Sequence, residues 1–253
     1  MKKTVLLIII LALIQCNTKE IFDGPNFYAD GFEGYSILED LIDGNNVQWS
    51  FFQNTKTRNF LKLDSTIFHT GSKSIKFFAG KSTEELASKA SISKQKMAFW
   101  DGDIVEISFW YYIVGTAGSN WMFLFDFEEQ AAIGAGPGTR LALVDNMLRI
   151  EHKFLNPDIL QNQGPPILFP RDQWVNIHLE FKLSQKKKGY VKLWQDSLLI
   201  IQQDNWQTLP KDILYVTQGT KGMYSSIEFG ITANSRDNET TVYVDDIDVK
   251  KIN

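Results

Sequence analysis

The stretch "RIEHKF" sets four titratable side chains side by side, Arg149, Glu151, His152 and Lys153. In an extended chain successive side chains point to opposite faces. His152 therefore goes with Leu148, Ile150 and Phe154, while Arg149, Glu151 and Lys153 share the other face. Facing an interior, His152 is a hydrogen-bonded structural residue. Facing an opening, it could act as a general base, because imidazole titrates near neutral pH. Arg140, in "GPGTRLALVD", carries a planar guanidinium that can grip a carboxylate through two parallel hydrogen bonds. The plainer reading is an ion pair with Asp145 or Glu151. Asp126 and Glu128 share one face of "FLFDFEEQ". Two carboxylates can work as acid and as base or nucleophile, although alternating acids also simply make a wet face.

The elements that must hold these residues are extended. "VEISFWYYIV" puts Val105, Ile107, Phe109, Tyr111 and Ile113 on one face and Glu106, Ser108, Trp110 and Tyr112 on the other. "WVNIHLEFKL" divides in the same way, with Ile177 and Phe181 inward and His178 outward. Such period-two segregation marks half-buried strands. "KSIKFFAG", "NWMFLFDFEE", "TRLALVD", "LRIEHKF", "GYVKLW", "SLLIIQQ", "SSIEFGITA" and "TTVYVDDIDV" add strands rich in aromatic and β-branched residues. "QKKKG" reads as a hairpin turn with Gly189 at positive φ, and "QDS" as a second tight turn. Helical pattern is scarce: "STEELASKA" and "NPDIL" are expected to give a turn or two each. Many short strands joined by turns favour an all-β, two-sheet antiparallel β-sandwich or jelly roll.

The first residues have another character. Lys2 and Lys3 precede an uncharged apolar run from Val5 to Ile14. That run is too short for a helix crossing a bilayer, which needs about 20 residues, and has the size of a signal-peptide core. "LIQC" resembles the lipobox of bacterial lipoproteins, with Gln15 in place of the usual small residue. The resemblance implies a signal peptide over 1–15 and acylation of Cys16, the one cysteine of the chain. It further implies a tether over 16–26, a sandwich domain over 27–253 and an extracytoplasmic, lipid-anchored location in the bacterial cell envelope. Losing Lys2 and Lys3 leaves 24 basic against 30 acidic residues, a formal charge of −6 in place of −4. This excludes a polybasic nucleic-acid binder.

The order of the segments resembles concanavalin A-like jelly rolls, in particular heparin-lyase-like polysaccharide lyases and laminin-G-like carbohydrate-binding domains. The resemblance rests on "HTGSKSIKF", "GDIVEISFWYYI", "FPRDQWVNIHLEFK", "GYVKLWQDSLLI" and "IEFGITANSRDNETTVYVDDIDV". It implies two curved sheets, with a polysaccharide on the hollow face of one. The other sheet, carrying "WVNIHLEFKL" and "YVKLW", covers the core from behind and turns His178 to solvent.

A lyase acting on uronate glycans neutralises the substrate carboxylate, removes the C5 proton and protonates the leaving oxygen. By this resemblance His152, Arg140 and Tyr224 are the catalytic candidates. Trp121, stacking on a sugar, together with Asp126, Glu128, Arg149 and Glu228, are the ligand-binding ones. Lyases of this kind often carry lysine and tyrosine where this chain has Glu228 and Thr232, so the catalytic signature is altered. "DGFEG" and "VDDID" resemble paired segments of jelly-roll carbohydrate modules that hold calcium. Glu33, Asp245 and Asp246 are therefore candidate ligands for a structural calcium ion. "AAIGAGPG" lacks the lysine and following helix of a phosphate loop and reads as a turn or loop between strands. The three histidines are too dispersed for a zinc motif. The expected function is a membrane-anchored polysaccharide-binding or polysaccharide-lyase-like protein. Its alternatives are a non-enzymatic surface adhesin or structural lipoprotein, and a glycoside hydrolase using paired carboxylates.

Overall fold

The computed structural model describes residues 24–42, 48–131, 134–153, 155, 157–209 and 223–253. The expected signal segment and most of the expected tether, Cys16 included, lie outside the described residues. In chain order the strands begin with β1 (Phe27–Asp30), β2 (Phe51–Asn54), β3 (Phe60–Asp64), β4 (Ser74–Ala79), β5 (Ala90–Lys94) and β6 (Phe99–Trp100). The middle of the chain gives β7 (Ile104–Ile113), β8 (Trp121–Ala131), β9 (Gly134–Val144), β10 (Met147–His152) and β11 (Trp174–Lys182). The last are β12 (Gly189–Gln195), β13 (Leu198–Trp206), β14 (Met223–Tyr224), β15 (Ser226–Ala233) and β16 (Thr240–Lys251).

Two antiparallel sheets result. The eight-stranded sheet runs β13-β12-β11-β7-β16-β4-β3, with β1 added against β16. The six-stranded sheet runs β10-β9-β8-β15-β5-β2, and β14 pairs β6 in a small ribbon. Period-two patterning explains the packing. β7 and β11 alternate strictly between half-buried and buried residues, and Ile177 and Phe181 are fully buried. Between the sheets, Phe109 of β7 lies 5.0 Å from Phe229 of β15, and Phe181 of β11 lies 5.7 Å from Phe127 of β8, ring centre to ring centre. The strands holding His178 and Trp194 lie in the eight-stranded sheet as expected, their rings stacked outward at 4.7 Å.

Several local expectations change. Residues 82–89 form no helix, because tertiary bonds take their polar groups: Ser82 Oγ donates to Asn234 O, and Ser88 N donates to Ser82 Oγ. In "NPDIL", the described residues hold an isolated bridge, Ile150 to Ile159, instead of a helical turn. "AAIGAGPG" belongs largely to the strands: β8 runs to Ala131 and β9 starts at Gly134. Gly189 is absent from the positive-φ residues, whereas Asp196 of the second turn has φ 54°. Gly189 is needed for close approach instead. A Cβ there would come within 2.5 Å of Lys182 O and 2.8 Å of Thr208 Oγ1.

Candidate functional site

Cross-strand partners share a face of a sheet. On the outward face of the six-stranded sheet, Glu151 of β10 faces Arg140 of β9, which faces Asp126 of β8, then Glu228 of β15 and Ser93 of β5. One row therefore crosses five strands. The next row holds Gly138, Glu128 and Ser226. Lys153 follows directly after β10, its amide donating to Gly138 O at 3.0 Å. On the other side lie Arg149, Ala142 and Phe123, then Met147, Val144 and Trp121. Asp126, Glu128 and Glu228 are only 3, 7 and 6 % exposed, so they form the floor of this face and not its rim.

The charges interlock. Arg140 Nε donates to Asp126 Oδ1 at 3.0 Å, and its Nη1 reaches Glu151 Oε1 at 3.5 Å. No hydrogen bond engages its Nη2 among the described residues. The guanidinium also lies over the Phe123 ring at 4.5 Å. Lys153 Nζ pairs with Glu128 Oε2 and stands 3.8 Å from Asp126 Oδ1. Arg149 Nη1 meets Asp158 Oδ2 at 3.3 Å. Ser91 Oγ donates to Glu228 Oε1. Burial raises the affinity of Glu228, Glu128 and Glu151 for protons. Glu228 is pushed up to about 7, first by burial and then by the Asp126 charge. Burial also pushes Glu128 up, against the pull of Lys153, and raises Glu151. A carboxyl poised near neutrality beside fixed cations is suited to proton transfer at working pH.

The structure thus brings together Arg140, Asp126, Glu128, Arg149 and Glu228, with half-buried Trp121 at one end. It adds Lys153, Glu151, Ser91 and Ser93. Alternation puts Lys153 and Glu151 on this face, and Glu151 is one of the two ion-pair partners expected for Arg140; nothing in the sequence marks Lys153 above other charged residues. Ser91 and Ser93 carried no signal at all.

His152 and Tyr224 take the interior side. Leu148, Ile150 and His152 are all buried. The His152 ring sits 3.9 Å from that of Trp206, and its Nδ1 is 3.0 Å from Thr139 Oγ1. Burial lowers its pKa to about 3, so the imidazole is neutral at ordinary pH. Tyr224 is fully buried against Phe127 at 4.5 Å and donates to Thr208 O at 2.6 Å. Both residues belong to the core packing behind the charged face. Thr232 is buried as well.

The calcium candidates are taken up by the protein's own donors. Glu33 accepts from Ser72 N, Ser72 Oγ and Lys73 N at 2.7–2.9 Å. Asp245 accepts from His69 N and Asp246 N, both at 2.8 Å, and burial raises it to about 6. Asp246 accepts from Thr70 Oγ1 at 2.7 Å and holds His69 Nδ1 at 2.6 Å. These carboxylates staple the 69–73 segment to the loop at Glu33 and to β16. No cluster of three or more metal-binding side chains occurs among the described residues.

Solved structures share this architecture. An endo-β-1,4-glucuronan lyase from the fungus Trichoderma reesei superposes with a TM-score of 0.63 at 12 % identity, covering 91 % of this chain and 96 % of the other. The cellulose induced protein Cip1 gives 0.61 at 17 % identity, covering 88 % and 96 %. A marine alginate lyase from Aplysia kurodai gives 0.52 at 12 % identity, covering 81 % and 92 %. These likenesses establish the concanavalin A-like jelly-roll fold. No curated protein matches the sequence. The polysaccharide lyase family model matches residues 42–248, most of the chain, and the protein belongs to that family.

Proposed function

We propose that the outward face of the six-stranded sheet binds a uronate-containing polysaccharide and cleaves it by β-elimination. The observation that carries this reading is the row Glu151–Arg140–Asp126–Glu228, flanked by Lys153 and Arg149. Arg140, through Nη2, and Arg149 neutralise the sugar carboxylate, which acidifies the C5 proton. Glu228, poised near pH 7, takes that proton. The C5–H electrons form the C4=C5 double bond, the C4–O bond breaks, and the Lys153 ammonium protonates the departing oxygen. A glutamate facing a uronate would ordinarily repel it. One with a pKa near 7 is largely protonated below neutrality, so the sugar can bind there without full repulsion. The altered signature then means that glutamate and lysine carry the roles elsewhere given to lysine and tyrosine.

The test is incubation of the purified protein with polyglucuronate and alginate, reading the ultraviolet absorbance of unsaturated chain ends. Glu228→Gln and Arg140→Ala should each lower kcat by about 10²–10⁴-fold, the usual weight of a positioned proton-transfer or charge-stabilising group. Activity should rise with pH through about 7 as Glu228 ionises. A panel giving no unsaturated product would refute elimination. New reducing ends without unsaturation would favour hydrolysis. That second reading draws on Asp126 and Glu228 being cross-strand neighbours, with Glu128 two residues along.

The same proposal includes a lipid tether at Cys16, supported by the apolar run and "LIQC". Cys16→Ser should move the protein from the membrane fraction to the soluble one.

A further inference from the structure

The outward face changes character along its length. The rows of Lys153 and Glu151 are charged, the row of Arg149 is mixed with Phe123, and the row of Met147, Val144 and Trp121 is apolar. Beyond β10 the chain returns along the free edge of the sheet. Ile150 and Ile159 exchange backbone hydrogen bonds of 3.0 and 2.8 Å. Both side chains are buried, so the flanking Asp158 and Leu160 turn to the outward face. The Arg149–Asp158 ion pair is the direct sign of that orientation.

Met147, Leu148, Arg149, Leu160, Gln161 and Pro166 enclose a cavity of about 170 Å³ at this end of the face. Its walls are mainly apolar, and its single cation is already paired with Asp158. Gln161 fixes the wall: its Nε2 donates to Ile167 O at 3.0 Å, and its Oε1 accepts from Ile167 N at 2.8 Å. Leu160 is nevertheless 57 % exposed. A mainly apolar cavity with a fixed wall, sharing Arg149 with the charged rows, is suited to an apolar ligand group.

We propose that this cavity is a specificity subsite for a methyl-bearing substituent of the bound polysaccharide, either the methyl of an O-acetyl ester or the C6 methyl of a 6-deoxy sugar. The inference rests on the proposed uronate-glycan reading of the neighbouring charged rows. It deepens that reading by naming the kind of sugar decoration selected. An unsubstituted uronate chain would leave Leu160 and Met147 in water and set hydroxyls against them. A methyl group covers them instead.

Three glycans test this with the full chain: an O-acetylated polyuronate, the same polymer saponified, and a uronate polymer containing a 6-deoxy sugar. Retention is measured by affinity electrophoresis. One methyl group in an apolar pocket discriminates by about 10-fold at the low end of the usual range. The intact protein should favour one of the two methyl-bearing polymers by about that factor, and which one it favours identifies the source. Leu160→Ala should abolish the preference without changing retention of the saponified polymer. Leu168→Ala, a nearby exposed leucine outside the cavity walls, should keep it. Equal retention of all three polymers, or a preference that survives Leu160→Ala, overturns the subsite and leaves the uronate reading intact. Retention of none overturns both.

Discussion

Glu228 holds a proton more tightly in the folded protein than in the unfolded chain, about 7 against an ordinary 4.5. Between those two values the native state binds more protons, so its contribution to stability is largest at low pH and is lost as pH rises from 4.5 to 7. Glu228→Gln removes the ionisable group. Denaturant unfolding should show the variant gaining stability relative to the parent protein across that window; no relative gain would mean that Glu228 ionises normally. His152 has the opposite sign. Its folded pKa is about 3 against 6.5, so the unfolded state takes up the proton first and stability is lost as pH falls below 6.5. His152→Phe should narrow the stability gap to the parent protein as pH drops from 6.5 towards 3, measured as the shift in urea midpoint. The same two residues mark how much of the site was legible. Phe154 lies outside the described residues, and alternation divides Arg149 to Lys153 into two faces as the structure has them. It could not say which face was outward, because that is decided by which side of the sheet Phe109, Phe127 and Trp206 fill.

At the scale of elements, the charged rows depend on the close approach of β8 and β9. Gly138 stands directly opposite Glu128. A Cβ there would lie 2.3 Å from Glu128 Cβ and 2.6 Å from Phe127 O. The missing side chain is what lets Glu128 and Lys153 meet over that position. Gly138→Ala should destabilise the protein by about 1–3 kcal/mol, the ordinary cost of overpacking, and lower turnover by displacing Glu128. Normal stability and turnover together would show that β9 shifts without consequence. In the sequence "AAIGAGPG" has the look of a turn or cleft-edge loop between strands; glycine on its own weakens a strand. The partner strands supply what the segment lacks. β5 escaped for the opposite reason. All five of its residues are buried, because Ser91 and Ser93 lie under the charged face while Ile92 enters the core, and the serines hide the alternation. The long strands β7 and β11 are legible because one face of each meets the core and the other is half open to solvent.

At the scale of the whole molecule, the two sheets must be joined at their ends as well as through the core. Asp30, closing β1 on the eight-stranded sheet, does this next to the entry of β2 on the six-stranded one. Its Oδ2 accepts from Tyr35 OH and from Trp49 Nε1, each at 2.7 Å, and its Oδ1 accepts from Phe32 N at 2.8 Å. Trp49 is fully buried, edge-on to Tyr28 at 5.1 Å and to Phe229 at 6.1 Å. Phe32 stacks on it from the other side at 6.2 Å and holds a left-handed backbone, φ 62°. Asp30→Ala would leave the indole N–H buried without its acceptor, at roughly 1–3 kcal/mol for each such donor. The Tyr35 hydroxyl bond is only partly buried, so the indole and this hydroxyl together lose about 3 kcal/mol, the lower half of the range for two such donors. For a chain of this size each kcal/mol moves Tm by roughly 2–4 °C, so calorimetry should show a fall of about 6–12 °C. Asp30→Asn keeps an acceptor oxygen and should lose about half as much. Because the charged rows lie on the opposite side of the six-stranded sheet from Trp49 and Phe229, glycan cleavage by the folded variants should stay close to that of the parent protein at low temperature. A large loss of cleavage with Tm unchanged would move Asp30 out of the end clamp and into the site.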